Sequence, residues 1–214
     1  MAATIDELTI GDPPGAWSEL GFAVADGSCA IGEVRLRLAG PEAGVGLCGW
    51  SLRGVGSAAL DGLPTAVSER RAPSPAPVHP NGVAGLDHVV AITPDLERTV
   101  AALEAAGLDL RRLREEPTPT GAPRQAFFRL GAPVLEVVQE PADVAARLGP
   151  DRPVFFWGLA FAVPDLDAAV AGLGPERVGE PRDAVQPGRR IATLRRAAGL
   201  TVPVALITPQ PPRS

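Results

Sequence analysis

The sequence predicts an α+β chain of tandem βαβββ modules, and three observations carry that prediction. First, an apolar strand, a Pro-Asp-Leu punctuation and an amphipathic helix occur together twice, in LDHVVAITPDLERTVAALEAAG at 86–107 and in FWGLAFAVPDLDAAVAGLG at 156–174. Second, three short β-prone segments bounded by Gly and Pro follow each copy. Third, the copies keep a 70-residue offset in both the turn and the apolar stripe of the helix, which marks an internal repeat. The domain organisation that follows is a diverged N-terminal module over 1–53, a Pro-rich linker over 54–83, a module over 84–140, a linker over 141–153 and a module over 154–210.

The elements justify themselves in order. TIDELTIG reads as a strand, PPGAWSELG as a short helix, and FAVADG, AIGEVRLRLAG and GVGLCGWSL as three strands. In the linker, Pro73, Pro75, Pro77 and Pro80 recur every two or three residues and favour an extended connector. LDHVVAI opens the middle module. Thr93 sits where an N-cap is expected, with Pro94 at the first helical position and Asp95 in the first turn. Leu96, Val100 and Leu103 form one stripe, and Gly107 stops the helix. A strand near 108–113, a PTPTGAP turn, QAFFRL and VLEVVQ complete the module. In the last module VFFWGLAFAV is the strand, and Leu166, Val170 and Leu173 repeat the stripe. RVGEPRD, RRIATLRR and TVPVALITP supply three more strands.

Composition narrows the function classes. With 214 residues, 45% hydrophobic and 21% charged, the chain can bury a real core. A net charge of −5 gives no electrostatic footprint for nucleic acid. No run of apolar residues is long enough for a membrane span, and MAATIDELTIGDPPG lacks the basic and apolar regions of a signal peptide. A cytoplasmic location is therefore expected, with Cys29 and Cys48 read as reduced thiols on neighbouring strands. No dinucleotide fingerprint, Walker A loop, nucleophile elbow or Cys-x-x-Cys is present.

Period-2 alternation places His88, Val90 and Ile92 on one strand face, and Val134, Glu136 and Val138 on one face of another. Glu136 is flanked by apolar side chains, and burying an unpaired carboxylate is costly. It needs a cation, a metal, hydrogen bonds or cavity water. A lone His in a strand is more often a neutral ring satisfied by backbone or water than a ligand, and both readings stand open for His88. Laying TIDELTIGDPP over GLDHVVAITPD puts Glu7 opposite His88, either as a third ligand or as a solvated N-terminal residue. Arg189, Arg190, Arg195 and Arg196 have guanidinium forks that suit an anionic ligand, but such charges are more often the solvated flanks of a strand, and that reading is preferred. Trp17, Trp50 and Trp157 read as core or cavity wall, and His79 as a linker residue without a partner.

LDHVVAITPDLERTVAALEAAGL resembles the opening of a module of the vicinal oxygen chelate superfamily, and APVLEVVQEP resembles its closing strand. That superfamily gathers the glyoxalase, bleomycin-resistance and extradiol-dioxygenase types. The resemblance implies paired modules whose sheets surround a cavity, with metal ligands on first and last strands. It assigns those places to His88 and Glu136. In the last module the matching positions are Gly158 and either Val204 or Ala205, which cannot bind a metal.

The implied function is a glyoxalase-like lyase, isomerase or dioxygenase acting on a small oxygen-rich molecule. A divalent metal (Mn, Fe, Ni, Zn or Mg) on His88 and Glu136, with Glu7 or water completing the shell, would act as a Lewis acid. Glu136 would be the catalytic residue that moves a proton. The alternative is a metal-free, drug-sequestering binding protein of the bleomycin-resistance type. The expected partner is a small-molecule ligand, with no nucleic acid and no membrane. A homodimer, or modules that only build an oligomer interface, are the assemblies this architecture allows.

Overall fold

The computed structural model describes residues 2–71, 77–118, 121 and 123–210. Pro73, Pro75 and part of the PTPTGAP turn lie outside the described residues. The N-terminal run gives β1 (Thr4–Ile10), α1 (Pro14–Glu19), β2 (Ser28–Ile31), β3 (Val34–Leu38), β4 (Leu47–Arg53) and β5 (Thr65–Val67). The first repeat gives β6 (Gly85–Thr93), α2 (Leu96–Ala105), β7 (Asp109–Arg114), β8 (Gln125–Arg129) and β9 (Val134–Gln139), and α3 (Ala142–Leu148) follows. The second repeat gives β10 (Phe155–Ala162), α4 (Leu166–Leu173), β11 (Arg182–Asp183), β12 (Arg190–Thr193) and β13 (Val204–Ile207). Among the described residues, no helix is long and apolar enough to cross a membrane.

Two compact units divide the chain, each discontinuous in sequence. One comprises Met1–Glu7, Gly49–Arg71 and His88–Trp157; the other comprises Leu8–Cys48, Ala72–Asp87 and Gly158–Ser214.

In the first unit the strand order is β6-β9-β8-β7, with β6 parallel to β9 and the other pairs antiparallel. The helix starts two residues later than the sequence suggests. Asp95 is the N-cap of α2, and its carboxylate accepts from Arg98 N at 3.0 Å. Thr93 is instead fully buried, its hydroxyl accepting from Asp95 N at 3.1 Å and bonded to Thr99 Oγ1 at 2.7 Å. Aspartate wins the cap because its side chain reaches the N3 amide, while Thr93 still belongs to the strand.

The Thr93–Thr99 bond also identifies the face of β6 that meets α2. Val89, Ala91 and Thr93 share that face, and Leu135, Val137, Ala126 and Phe128 continue it across β9 and β8. All seven are buried. Each large apolar side chain on this face contributes about 1.5–3 kcal/mol, against about 0–1 kcal/mol for an exposed ion pair. Strand register is thus set by the helix side, and a one-residue slip would expose the whole set. The opposite face receives His88 and Glu136 as a consequence.

The second unit has a quartet of the same topology, β10-β13-β12-β11, again with a parallel first–last pair. Asp165 caps α4 by accepting from Ala168 N at 2.9 Å, the equivalent of Asp95. The N-terminal strands form a separate sheet in the order β2-β3-β1-β4-β5, so β1 lies between β3 and β4. In both quartets the first strand instead pairs in parallel with the last strand of its own module. FAVADG forms no strand, and AIGEVRLRLAG is split by a turn at Gly32 between β2 and β3. A core of Trp17, Phe22 and Phe161 in edge-on contact, with centroids 4.8–6.0 Å apart, fills the unit. The two cysteines are free. They are not on neighbouring strands, because β3 and β1 separate β2 from β4.

Candidate functional site

Residues paired across a sheet share a face, so register alone composes the site on the first unit. His88 pairs with Val134 and Val90 with Glu136 across β6 and β9. Arg129 continues the first row and Phe127 the second. A third row runs Ile92, Val138 and Gln125. His88, Glu136, Gln125 and Phe127 therefore stand on one face, opposite to α2.

His88 Nε2 lies 3.7 Å from Glu136 Oε2, and the two side chains are 14% and 15% exposed. They are sheltered but reachable. Gln125 is buried and donates its Nε2 to Glu136 Oε1. One carboxylate oxygen is thus occupied by an amide and the other faces an imidazole. Two ligands at about 2.1 Å from one ion stand about 3.0–3.4 Å apart, so a 3.7 Å pair needs only a small side-chain rotation to bracket a cation. Without a cation, the same pair can exchange or hold a proton. Imidazole and carboxylate together suit Mn, Fe, Ni or Zn better than Mg.

Glu7 is engaged elsewhere in this unit, in an ion pair with Arg70 at 3.1 Å. Among the described residues, no group of three or more His, Cys, Asp or Glu side chains is gathered to hold a metal ion. The neighbouring Asp6, unremarked in the sequence, is fully buried. Its carboxylate accepts from Arg53 Nη2 at 2.5 Å, Ser68 Oγ at 2.6 Å, Arg70 Nε at 2.9 Å and Ser51 Oγ at 3.1 Å. Burial would raise its pKa, but the Ser68 bond, the Arg53 charge, the Ser51 bond and Arg70 hold it below the ordinary value. Asp61 likewise ties the 54–71 segment to α2, accepting from Arg98 Nε at 2.9 Å and Thr99 Oγ1 at 2.5 Å.

The corresponding place in the second unit is closed to side chains. A Cβ on Gly158 would lie 2.8 Å from the Pro203 carbonyl oxygen and 3.2 Å from Pro203 Cβ. Backbone cannot yield as a flexible side chain does, so this position is reserved for glycine. Register also settles the last-strand equivalent. Ala160 takes the place of Val90 and pairs with Ala205, so Ala205, not Val204, corresponds to Glu136.

Several sequence readings change. Trp157 is 49% exposed, so it is not a core residue, whereas Trp17 and Trp50 are buried. Arg189 is buried and not a solvated flank: its guanidinium forks onto both Asp87 oxygens and its Nε donates to Thr208 O at 2.7 Å. His79 has two partners. Its Nδ1 accepts from Ala23 N at 3.1 Å, which leaves Nε2–H to donate to Ala30 O at 3.1 Å. Gln125 was missed as well. The Gly-Ala-Pro turn between β8 and β9 would have placed it in the row next to that of Glu136, but no local signal marks it as polar and buried.

A family model described as "Glyoxalase/Bleomycin resistance protein/Dioxygenase superfamily" matches residues 85–194. No curated protein matches the sequence. Among solved structures, methylmalonyl-CoA epimerase from Mycobacterium tuberculosis is similar at 26% identity over 61% of this chain and 91% of its own, with a TM-score of 0.49. A methylmalonyl-CoA epimerase from Streptomyces coelicolor is 23% identical over 62% of this chain and 99% of its own, TM-score 0.49. A hypothetical protein from Bacillus halodurans is 14% identical over 60% and 96%, TM-score 0.48.

Proposed function

We propose a function from the premise that the chain belongs to the glyoxalase, bleomycin resistance protein and dioxygenase superfamily, whose model spans just over half of it. The protein is a glyoxalase-like enzyme that moves a proton on a small oxygen-rich molecule at the β6–β9 face. The observation that carries this reading is the sheltered His88–Glu136 pair at 3.7 Å, with Gln125 holding the far carboxylate oxygen.

Glu136 is the base. Its apolar neighbours weaken hydration of the carboxylate, and Gln125 holds Oε1, which makes Oε2 the oxygen placed to take a proton from a carbon beside a carbonyl. His88 is placed to return a proton or to stabilise the charge left on the substrate. Phe127, opposite Glu136, gives the reacting atoms an apolar floor. A divalent metal, when bound, would be held by His88 and Glu136, with water or the substrate's own vicinal oxygens completing the shell. It would supply Lewis-acid polarisation of those oxygens.

The test is solvent exchange. Incubated in D2O with a panel of 1,2-dicarbonyl, 2-hydroxycarbonyl and 2-substituted malonyl compounds after loading with Mn, Fe, Ni or Zn, the wild type is expected to wash deuterium into the carbon next to the carbonyl of at least one. Glu136→Gln is expected to abolish this. Absence of exchange with every compound and metal overturns the enzyme reading.

The metal-free binding protein remains the second reading, favoured by the blocked Gly158 position, which leaves the second repeat without a ligand side chain at the place of His88. It predicts saturable binding of an apolar ligand by wild type and His88→Ala alike.

A further inference from the structure

We propose that Arg112 and Arg129 form an anion-recognition pair on the same sheet face as His88 and Glu136, so that the molecule taken by this site carries a carboxylate or phosphate. This rests on the preceding section only for which face is the site.

Register places both arginines on that face. Arg129 lies in the row of Val134 and His88, and Arg112 in the row of Phe127, Glu136 and Val90. Each arginine is two strand spacings, about 10 Å, from the reacting side chain of its row. That separation suits a substrate with its anionic group at one end and its reacting carbon at the other.

A bulge is responsible for Arg112. Leu110 pairs with Phe128 and so faces the helix side; simple alternation would send Arg112 to that side too. The register shift between Leu110 and Arg112 inserts one residue and pairs Arg112 with Phe127 instead. β-bulges re-aim side chains in this way, and they are common beside active sites.

Pairing gives a second, independent observation. Most arginines of this unit have their charge or their donors engaged. Arg53 and Arg70 meet Asp6, Arg98 meets Asp61, Arg111 meets Asp109, Arg124 meets Glu97 and Glu115, and Arg152 meets Glu140. Arg112 and Arg129 are exposed, and neither forms an ion pair among the described residues; the carboxylate of Asp109, the register partner of Arg129, is held by Arg111 at 3.2 Å. Two forks without a carboxylate, on the face that carries the reacting pair, are suited to an oxyanion from solution.

The experiment titrates malonate and inorganic phosphate by calorimetry into wild type, Arg112→Gln, Arg129→Gln, the double variant, and Arg147→Gln on α3 as a surface-charge control. Wild type is expected to bind at least one anion, the double variant to bind it at least about tenfold more weakly, and the control to stay within about twofold. Lysine at both positions should restore part of the affinity, because charge returns without the fork. Tighter malonate assigns a carboxylate, and tighter phosphate a phosphate ester. Absence of saturable binding of either anion, equal affinity in the double variant, or an equal loss in Arg147→Gln overturns the inference. Anion binding needs no reaction, so malonate binding that persists without any deuterium exchange would sink the proposed reaction and leave this site standing.

Discussion

Gln125 donates to Oε1 of Glu136 and thereby leaves Oε2 turned toward His88 Nε2 at 3.7 Å. The two side chains that would do chemistry are held by a third that would not. Outer partners of this kind orient a ligand or base, and their loss is felt without loss of the fold.

Gln125→Leu therefore should weaken Ni or Mn binding by about 10–100-fold. His88→Ala should cost at least as much, because it removes a donor outright. Calorimetric titration of the purified protein reads both. Unchanged affinity in Gln125→Leu would show that the amide does not position the carboxylate.

Placing a ligand side chain at the matching position of the second repeat should fail. Gly158→His places a Cβ 2.8 Å from the Pro203 carbonyl, a contact that backbone must relieve. The expected result is destabilisation by about 1–3 kcal/mol in urea unfolding, with no gain of metal affinity. A stable Gly158→His protein that binds a second ion would contradict the backbone argument.

His79 makes stability depend on pH. Burial pushes its pKa down from the ordinary 6.5, with the Ala30 carbonyl opposing in part. The unfolded chain then binds a proton more readily than the folded one below pH 6.5. Stability from the neutral ring is complete above that value and is lost as pH falls through the lower folded-state pKa. Protonation would also break the Ala23 N–H to Nδ1 bond. Urea midpoints measured from pH 7.5 to 5 should fall in wild type and fall less in His79→Gln. Parallel slopes for the two proteins would exclude the ring as the titrating group.

Legibility of the sequence tracked how local the cause was. The Pro-Asp-Leu repeat was readable because strand, turn and cap lie within a dozen residues, and even there the cap moved from Thr93 to Asp95. His88 and Glu136 could be placed by strand period. Gln125, Asp6 and His79 could not, for a physical reason. Asp6 meets partners 45 to 64 residues away, and His79 bonds Ala23 and Ala30 across 56 and 49 residues. Their roles exist only once register is set. The bulge that turns Arg112 does leave a local trace, since the adjacent Arg111 and Arg112 break the alternation of DLRRLR where the register shifts.

The two thiols should differ in reactivity. Burial pushes Cys29 up to about 12, and it also raises half-buried Cys48, where the Asp12 charge acts in the same direction. Thiolate is the reactive form, so neither is a fast nucleophile near neutrality. Iodoacetamide at pH 8 should label Cys48 slowly and Cys29 only in denaturant, as read by mass spectrometry of peptides. Labelling of Cys29 in the native state at the rate of free cysteine would contradict its burial.

The Asp6 cluster makes the strongest stability prediction. Its carboxylate is fully buried and holds two arginines and two serines from β4 and the 68–70 segment. Asp6→Asn leaves those cations facing a neutral amide, and unfolding by urea at pH 7 should lose about 3 kcal/mol, the low end for a buried pair because water reaches Arg70. The arginines should rank by exposure. Arg53 is 15% exposed and also donates to the Ile5 and Arg70 carbonyls, so Arg53→Gln should be nearly as costly. Arg70 is 53% exposed, so Arg70→Gln should lose no more than about 1 kcal/mol. The pH dependence has the opposite location to that of His79. The folded-state pKa of Asp6 lies below the ordinary 3.8, so its contribution is complete above 3.8 and disappears as pH falls through the lower folded value. Acid unfolding curves for wild type and Asp6→Asn should therefore converge below pH 3.8 and stay apart at pH 7. Curves separated by the same amount at both ends would mean that packing, and not the charge, makes Asp6 matter.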